Sequence, residues 1–179
     1  MDLSKRKQSS KDFLDLFFPI HYLVGMQIED ALKCGVLTRQ QACLLWTIHT
    51  RGTDGKKMRR KDIAHALASW YEVTSSAISK SLRALSKPPL NLITMVEDPE
   101  NGREKFVVLT PRGVQFVESM MRNGTAFVET MVERLSDDEI RSGIHFLARV
   151  TEIHHELASE AAAKQKPKRN SATKPKELS

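Results

Sequence analysis

The spacing of apolar residues changes character once along this chain, and that change limits what the chain can fold into. From Asp12, apolar residues fall at Phe13, Leu16, Phe17, Ile20, Leu23, Val24, Ile28 and Leu32, in the steps of three and four that define one helix face. Helical spacing continues up to Pro88-Pro89, where a helix must stop because proline has no amide donor and clashes with the preceding turn. Beyond it, Leu92-Ile-Thr-Met-Val-Glu97 and Lys105-Phe-Val-Val-Leu109 are rich in β-formers, and the turn-rich Asp98-Pro-Glu-Asn-Gly102 joins them as a β-hairpin. Helical spacing resumes at Thr110-Pro111, threonine at the N-cap and proline at the first helical position. The fold class expected is mainly α with a small β wing.

Local signals divide the helical parts. Gly35 stops the first helix. Thr38 opens the second with Gln41 at capping-box spacing, and its inner face reads Ala42, Leu45, Trp46 and His49. Gly52-Thr-Asp-Gly55 ends it. A third helix from about Arg59 turns Ile63, Ala64 and Leu67 inward. A fourth opens on Val73-Thr74-Ser75-Ser76 and buries Ile78, Leu82 and Leu85. After the hairpin, Val114, Val117, Met121, Val128, Met131 and Leu135 mark a long helix. Ser136-Asp-Asp-Glu139 is a second capping box, and it starts a last helix carrying Ile140, Ile144, Leu147, Val150, His154 and Leu157.

The four helices, hairpin and two long helices contain, in their middle, the helix–helix–helix–hairpin order of a winged helix-turn-helix. Five segments follow. Residues 1–11 form a basic arm expected to be disordered, 12–36 a dimerisation helix and 37–109 the winged helix-turn-helix. Residues 110–163 form the C-terminal dimerisation helices, and 164–179 a basic tail expected to be disordered. The apolar stripes on the long flanking helices exceed what one compact domain buries, so a homodimer is expected.

Composition narrows the partners. Of 179 residues, 40% are hydrophobic and 28% charged, a globular balance, and the formal net charge of +6 favours polyanions. Charge alone leaves an RNA binder or a basic enzyme open. No apolar run reaches the roughly 20 residues of a membrane span, and the polar Met1–Ser10 lacks the apolar core of a signal peptide, so a cytoplasmic protein is expected. Cys34 and Cys43 lack CxxC spacing and a clear basic neighbourhood, and read as reduced core thiols. His145, His154 and His155 lie on the last helix without a spacing that holds a metal on one turn, so no metal and no cofactor are expected. No glycine-rich phosphate loop, HExxH or paired catalytic motif is found, which argues against an enzyme.

In a helix-turn-helix the N-terminal part of the second helix enters the major groove. Here that part is Thr74, Ser75 and Ser76, followed by Ser79, Lys80 and Arg83. Small hydroxyl residues permit close approach and can donate to phosphates or base edges. The same residues also suit a solvated helix start with a serine or threonine cap, and the residues alone leave both readings open. The run Lys56-Lys57-Met-Arg59-Arg60-Lys61 sits where the first helix of the motif crosses the DNA backbone, so Arg59, Arg60 and Lys61 are candidate phosphate contacts. Cations at a helix N-terminus oppose the macrodipole, which favours a partner that offsets that cost. Asn101 and Arg103 occupy the hairpin tip, where an arginine suits a narrow minor groove.

The stretch from Asp98 through Arg103 and Leu109-Thr110-Pro111-Arg112-Gly113 resembles the wing signature of the MarR family of winged-helix regulators. Leu37-Thr38-Arg39-Gln40-Gln41 and Ile63-Ala64 through Leu67 support the resemblance, which spans roughly Phe13 to Ala162. It implies a triangular homodimer and sequence-specific binding to a near-palindromic double-stranded DNA operator. It also implies a minor-groove role for Arg103, and probes of the major groove at Thr74, Ser75, Ser76, Ser79, Lys80 and Arg83. It further implies a repressor relieved by a small aromatic or lipophilic effector, for which His21, Tyr22, Met26, Trp46 and His49 are candidates beside a plain packing role. Three departures stand out: Asn101 in place of the family's wing aspartate, a long Ala68-Ser-Trp70-Tyr71-Glu72 connection with Trp70 and Tyr71 expected under the recognition helix, and Lys87-Pro88-Pro89-Leu90 before the wing. The competing reading is a non-specific architectural or protein-interaction winged-helix module.

Overall fold

The computed structural model describes residues 3–68, 73–99, 101–102 and 104–165. Its elements run α1 (Leu3–Pro19), a π-helical stretch (Ile20–Gly25), α2 (Met26–Leu32), α3 (Arg39–Arg51), β1 (Lys57–Arg59), α4 (Arg60–Ala68), α5 (Ser75–Ser86), β2 (Ile93–Glu97), β3 (Lys105–Leu109), α6 (Pro111–Val132) and α7 (Asp137–Gln165). The chain divides into two compact units, one ending at Met131 and one beginning at Val132.

In the first unit the core is formed where α3, α4 and α5 meet the sheet and the start of α6. Leu44, Leu45, Ile48, Ile63, Leu82 and Leu85 from the three helices are fully buried, against Leu92, Val107 and Met120. The sheet is antiparallel in the order β1-β3-β2, with Arg59 opposite Phe106 and Glu97 opposite Lys105. The hairpin is thus the expected wing, and β1 adds a third strand that its composition did not announce.

The junction after the wing explains a glycine. Thr110 donates its amide to the Leu92 carbonyl at 3.0 Å, and its hydroxyl accepts from the Gly113 amide at 3.0 Å. A Cβ on Gly113 would lie 1.9 Å from the Leu92 carbonyl oxygen, so only glycine lets the α6 start press against that backbone. At Gly35 the reason is different: its φ of +66° is the left-handed conformation that ends α2.

The chain departs from expectation in five places. Helix starts at Leu3, so residues 3–11 are helical rather than a disordered arm. On its exposed surface Gln8 Nε2 donates to Asp12 at 2.7 Å, an i to i+4 pair that supports the helix, and the Ser9 hydroxyl turns back to the Lys5 carbonyl. The first long helix is not uniform, because a π-helical stretch separates α1 from α2 immediately after Pro19. Arg59 lies in β1, and α4 begins one residue later. His49, expected on the inner face of α3, is exposed, and Trp46 is only half-buried, because the buried face runs through Gln41, Leu44, Leu45 and Ile48. Lys164 and Gln165, expected to open the tail, belong to α7. The expectations for Trp70, Tyr71, Arg103 and residues 166–179 lie outside the described residues.

α1 buries none of its side chains within its own chain. Phe13 and Phe17 stack with centroids 6.1 Å apart on its surface, and Leu14, Leu16 and Phe18 are each more than 60% exposed. In the second unit, α7 carries Ile144, Phe146, Leu147 and Leu157 as exposed apolar residues, and its start is capped by reciprocal bonds between Ser136 and Glu139. Among the described residues no helix is long and apolar enough to cross a membrane.

Candidate nucleic-acid interface

The N-terminal half of α5 is shaped by its cap. Thr74 has extended backbone, and its hydroxyl accepts from the Ala77 amide at 3.2 Å, so this side chain is engaged in starting the helix. Burial of Ile78, Ser81, Leu82 and Leu85 fixes which face looks out. Ser75, Ser76, Lys80 and Arg83 are exposed on the outer side. Ser79 is half-buried: its hydroxyl accepts from the Arg60 guanidinium at 2.7 Å and donates to the Ser75 carbonyl at 2.7 Å.

The first helix of the motif and the wing lie against this one. A groove of about 340 Å³ is lined by Arg60, Lys61 and Ala64 of α4, Ser75 of α5, and Glu104 and Lys105 at the wing. Three of its six lining residues are cationic. Lys105 was not singled out from the sequence. The signal available was a lysine at an outward position of an alternating strand, next to Phe106 and the buried Val107.

The basic run itself splits into two roles. Arg60 faces α5. Arg59, by contrast, directs its guanidinium to Asp98 at 3.1 Å, with a longer approach of 3.9 Å to Glu104, and Lys61 pairs with Glu104 at 2.6 Å. The Phe106 ring lies under two of these cations, Lys57 Nζ at 3.9 Å and Arg59 Cζ at 5.4 Å from its centroid. Asn101 is exposed at the wing, its amide bonded to the Asp98 carbonyl at 3.1 Å.

The five effector candidates do not converge. His21 and Trp46 share a cleft of about 390 Å³ with Glu29, Leu32, Arg39, Ala42 and Cys43. An ion pair of 2.5 Å between Arg39 and Glu29 lies at this cleft. Tyr22 and Met26 are not among its lining residues, and His49 lines a separate cleft with Lys56, Val114 and Met121. Burial raises the Cys34 thiol above its ordinary value, opposed by a hydrogen bond from the Asn123 amide and by the charge of Arg122. Among the described residues no group of three or more histidine, cysteine or acidic side chains could hold a metal.

A family model for a winged helix DNA-binding domain matches residues 37–113. No curated protein matches the sequence. Solved structures with the same fold include transcriptional regulator Tm0710 from Thermotoga maritima, with a TM-score of 0.60 at 19% identity, covering 83% of this chain and 98% of that one. AbsC, a MarR family transcriptional regulator from Streptomyces coelicolor, gives 0.62 at 19% identity over 83% and 95%. The S. aureus MepR–DNA complex gives 0.57 at 25% identity over 78% and 96%. The fold shared with these structures is the winged helix with its flanking helices.

Proposed function

We infer that this chain, a winged-helix DNA-binding protein with the fold of the MarR family transcriptional regulators, acts in the cytoplasm as a homodimeric regulator that reads a near-palindromic operator in double-stranded DNA. The observation that carries the reading is the outward face of α5, where Ser75, Ser76, Lys80 and Arg83 stand exposed beside the cationic groove of Arg60, Lys61 and Lys105. Two short hydroxyl residues at the helix start allow close approach to base edges, and the cations one to two turns on reach the phosphates. Thr74 also caps α5 and Ser79 also takes the Arg60 guanidinium, so these two hydroxyls serve the helix-turn-helix as well as the DNA-facing surface. Arg103 completes the set at the minor groove, on the strength of the family resemblance alone.

Dimerisation is supported by the exposed apolar side chains of α1 and, separately, of α7, which neither helix buries within its own unit. Two recognition helices related by a two-fold axis would meet successive major grooves about 34–36 Å apart. The regulator acts as a repressor, released when a small aromatic or lipophilic molecule enters the cleft of His21 and Trp46. Its apolar walls at Leu32 and Ala42 and its charged pair of Arg39 and Glu29 suit an amphipathic ligand.

Selection of bound duplexes from a random pool, followed by competition between the selected and a scrambled duplex, tests this function. A strong preference for the selected duplex is expected. Equal affinity for both would replace it with non-specific, architectural binding. Release of the selected duplex by aromatic acids tests the effector.

A further inference from the structure

The acidic residues at the two ends of the wing loop form a charge pattern that DNA binding by itself does not call for. Asp98 is only 2% exposed, and its carboxylate faces the Arg59 guanidinium at 3.1 Å. Glu104, at the other end of the loop, takes Lys61 at 2.6 Å and lies 3.9 Å from Arg59. The loop is closed between these acids by backbone bonds from Asp98 to Glu104 at 3.0 Å, Asn101 to Asp98 at 3.1 Å and Glu104 to Asn101 at 2.8 Å. A buried carboxylate is tolerable only while paired, so Asp98 holds Arg59 and Arg59 holds the loop. Arg59 belongs to β1 and Lys61 to α4, and the next residue between them, Arg60, donates to Ser79 of α5. Wing, first helix and second helix are thus joined through three consecutive cations.

We propose that Asp98 and Arg59, backed by Glu104 and Lys61, form a latch that sets the wing against the recognition helix, so that Arg59 positions the wing and does not contact phosphate. This rests on the DNA-binding reading given above. The sign of the effect separates the latch from simple electrostatics. Removing a negative charge from a face that meets a polyanion should strengthen binding if that charge only repels DNA. A latch predicts the opposite.

The test uses the full chain and its selected duplex. Asp98→Asn and Arg59→Met should each weaken binding by about tenfold, the scale of one lost groove contact, and the double variant should be no weaker than the worse single. The slope of log affinity against log salt should stay at the wild-type value in Arg59→Met, whereas loss of a phosphate contact would reduce it by about 0.9. Without DNA, hydrogen exchange of the Asn101 and Glu104 amides should rise by about tenfold in Asp98→Asn while the α3 core amides keep their protection. Tighter or unchanged binding by Asp98→Asn, additive losses, or a reduced slope in Arg59→Met would overturn the latch. Should Asp98→Asn fail to fold, the Arg59→Met slope decides. If the wild-type chain prefers no duplex, the DNA-binding reading fails, and the two wing amides still decide whether the latch exists.

Discussion

Arg60 and Ser79 are joined at 2.7 Å across the two helices of the helix-turn-helix, and the Ser79 hydroxyl passes the bond on to the Ser75 carbonyl. The link spans 19 positions of sequence and ties α4 to α5 outside the core that packs them through Ile63, Leu67, Ile78 and Leu82. Ser79→Ala should lower stability by about 1 kcal/mol, because it removes a partner of a charged donor at a partly solvated site. Urea unfolding checks this. Combining it with Arg60→Ala should add almost nothing, whereas Ser76→Ala, on an exposed side chain, should stay within about 0.5 kcal/mol of wild type.

Gly113 has no room for a side chain. With a Cβ only 1.9 Å from the Leu92 carbonyl oxygen, Gly113→Ala must push α6 away from the backbone that precedes the wing. A loss of about 3 kcal/mol or more is expected, read as a lower thermal midpoint, along with loss of the bond from the Thr110 amide to the Leu92 carbonyl.

The Cys34 thiol should be slow to react. Its value is raised by burial, so a smaller fraction is thiolate at any given pH, and alkylation by iodoacetamide should reach half-maximal rate at higher pH than for free cysteine. The linkage has a matching sign: stability from the protonated thiol is complete below the unfolded value and is lost as pH rises through the folded one. Half-maximal reactivity below that of free cysteine would contradict this.

The apolar surface of α1 predicts its own disruption. Phe17→Glu places a charge beside Phe13, with which Phe17 stacks at the surface of a helix that buries nothing in its own chain. Sedimentation should show a dimer for the wild type and a monomer for the variant, with the far-ultraviolet helical signal retained in both.

Much of this architecture was legible because it is written in local chemistry. Thr38 and Gln41 bond reciprocally as a capping box must, Thr74 and Thr110 cap the helices they precede, and the switch from helical to β-forming residues marks the wing. What was missed depends on partners distant in sequence. β1 is three residues, Lys57, Met58 and Arg59, with no alternation to reveal it, and it is a strand because β3 pairs with it. The spacing of His49 from Ala42, Leu45 and Trp46 points it inward, but the buried face of α3 centres on Leu44, Leu45 and Ile48, which turns His49 outward. For the site, the outward α5 residues could be named from motif order. That Arg59 and Lys61 face the wing acids could not, since Asp98 and Glu104 lie about 40 positions further along the chain.

DNA reading by this chain depends on the outward face of α5 meeting the duplex. Amide chemical shifts followed while the selected duplex is titrated into the full-length chain test that contact residue by residue. The largest changes should fall on Ser75, Ser76, Lys80 and Arg83 and on Lys105 of the wing. If those amides stay unmoved while the duplex binds elsewhere, α5 is not the DNA-reading helix.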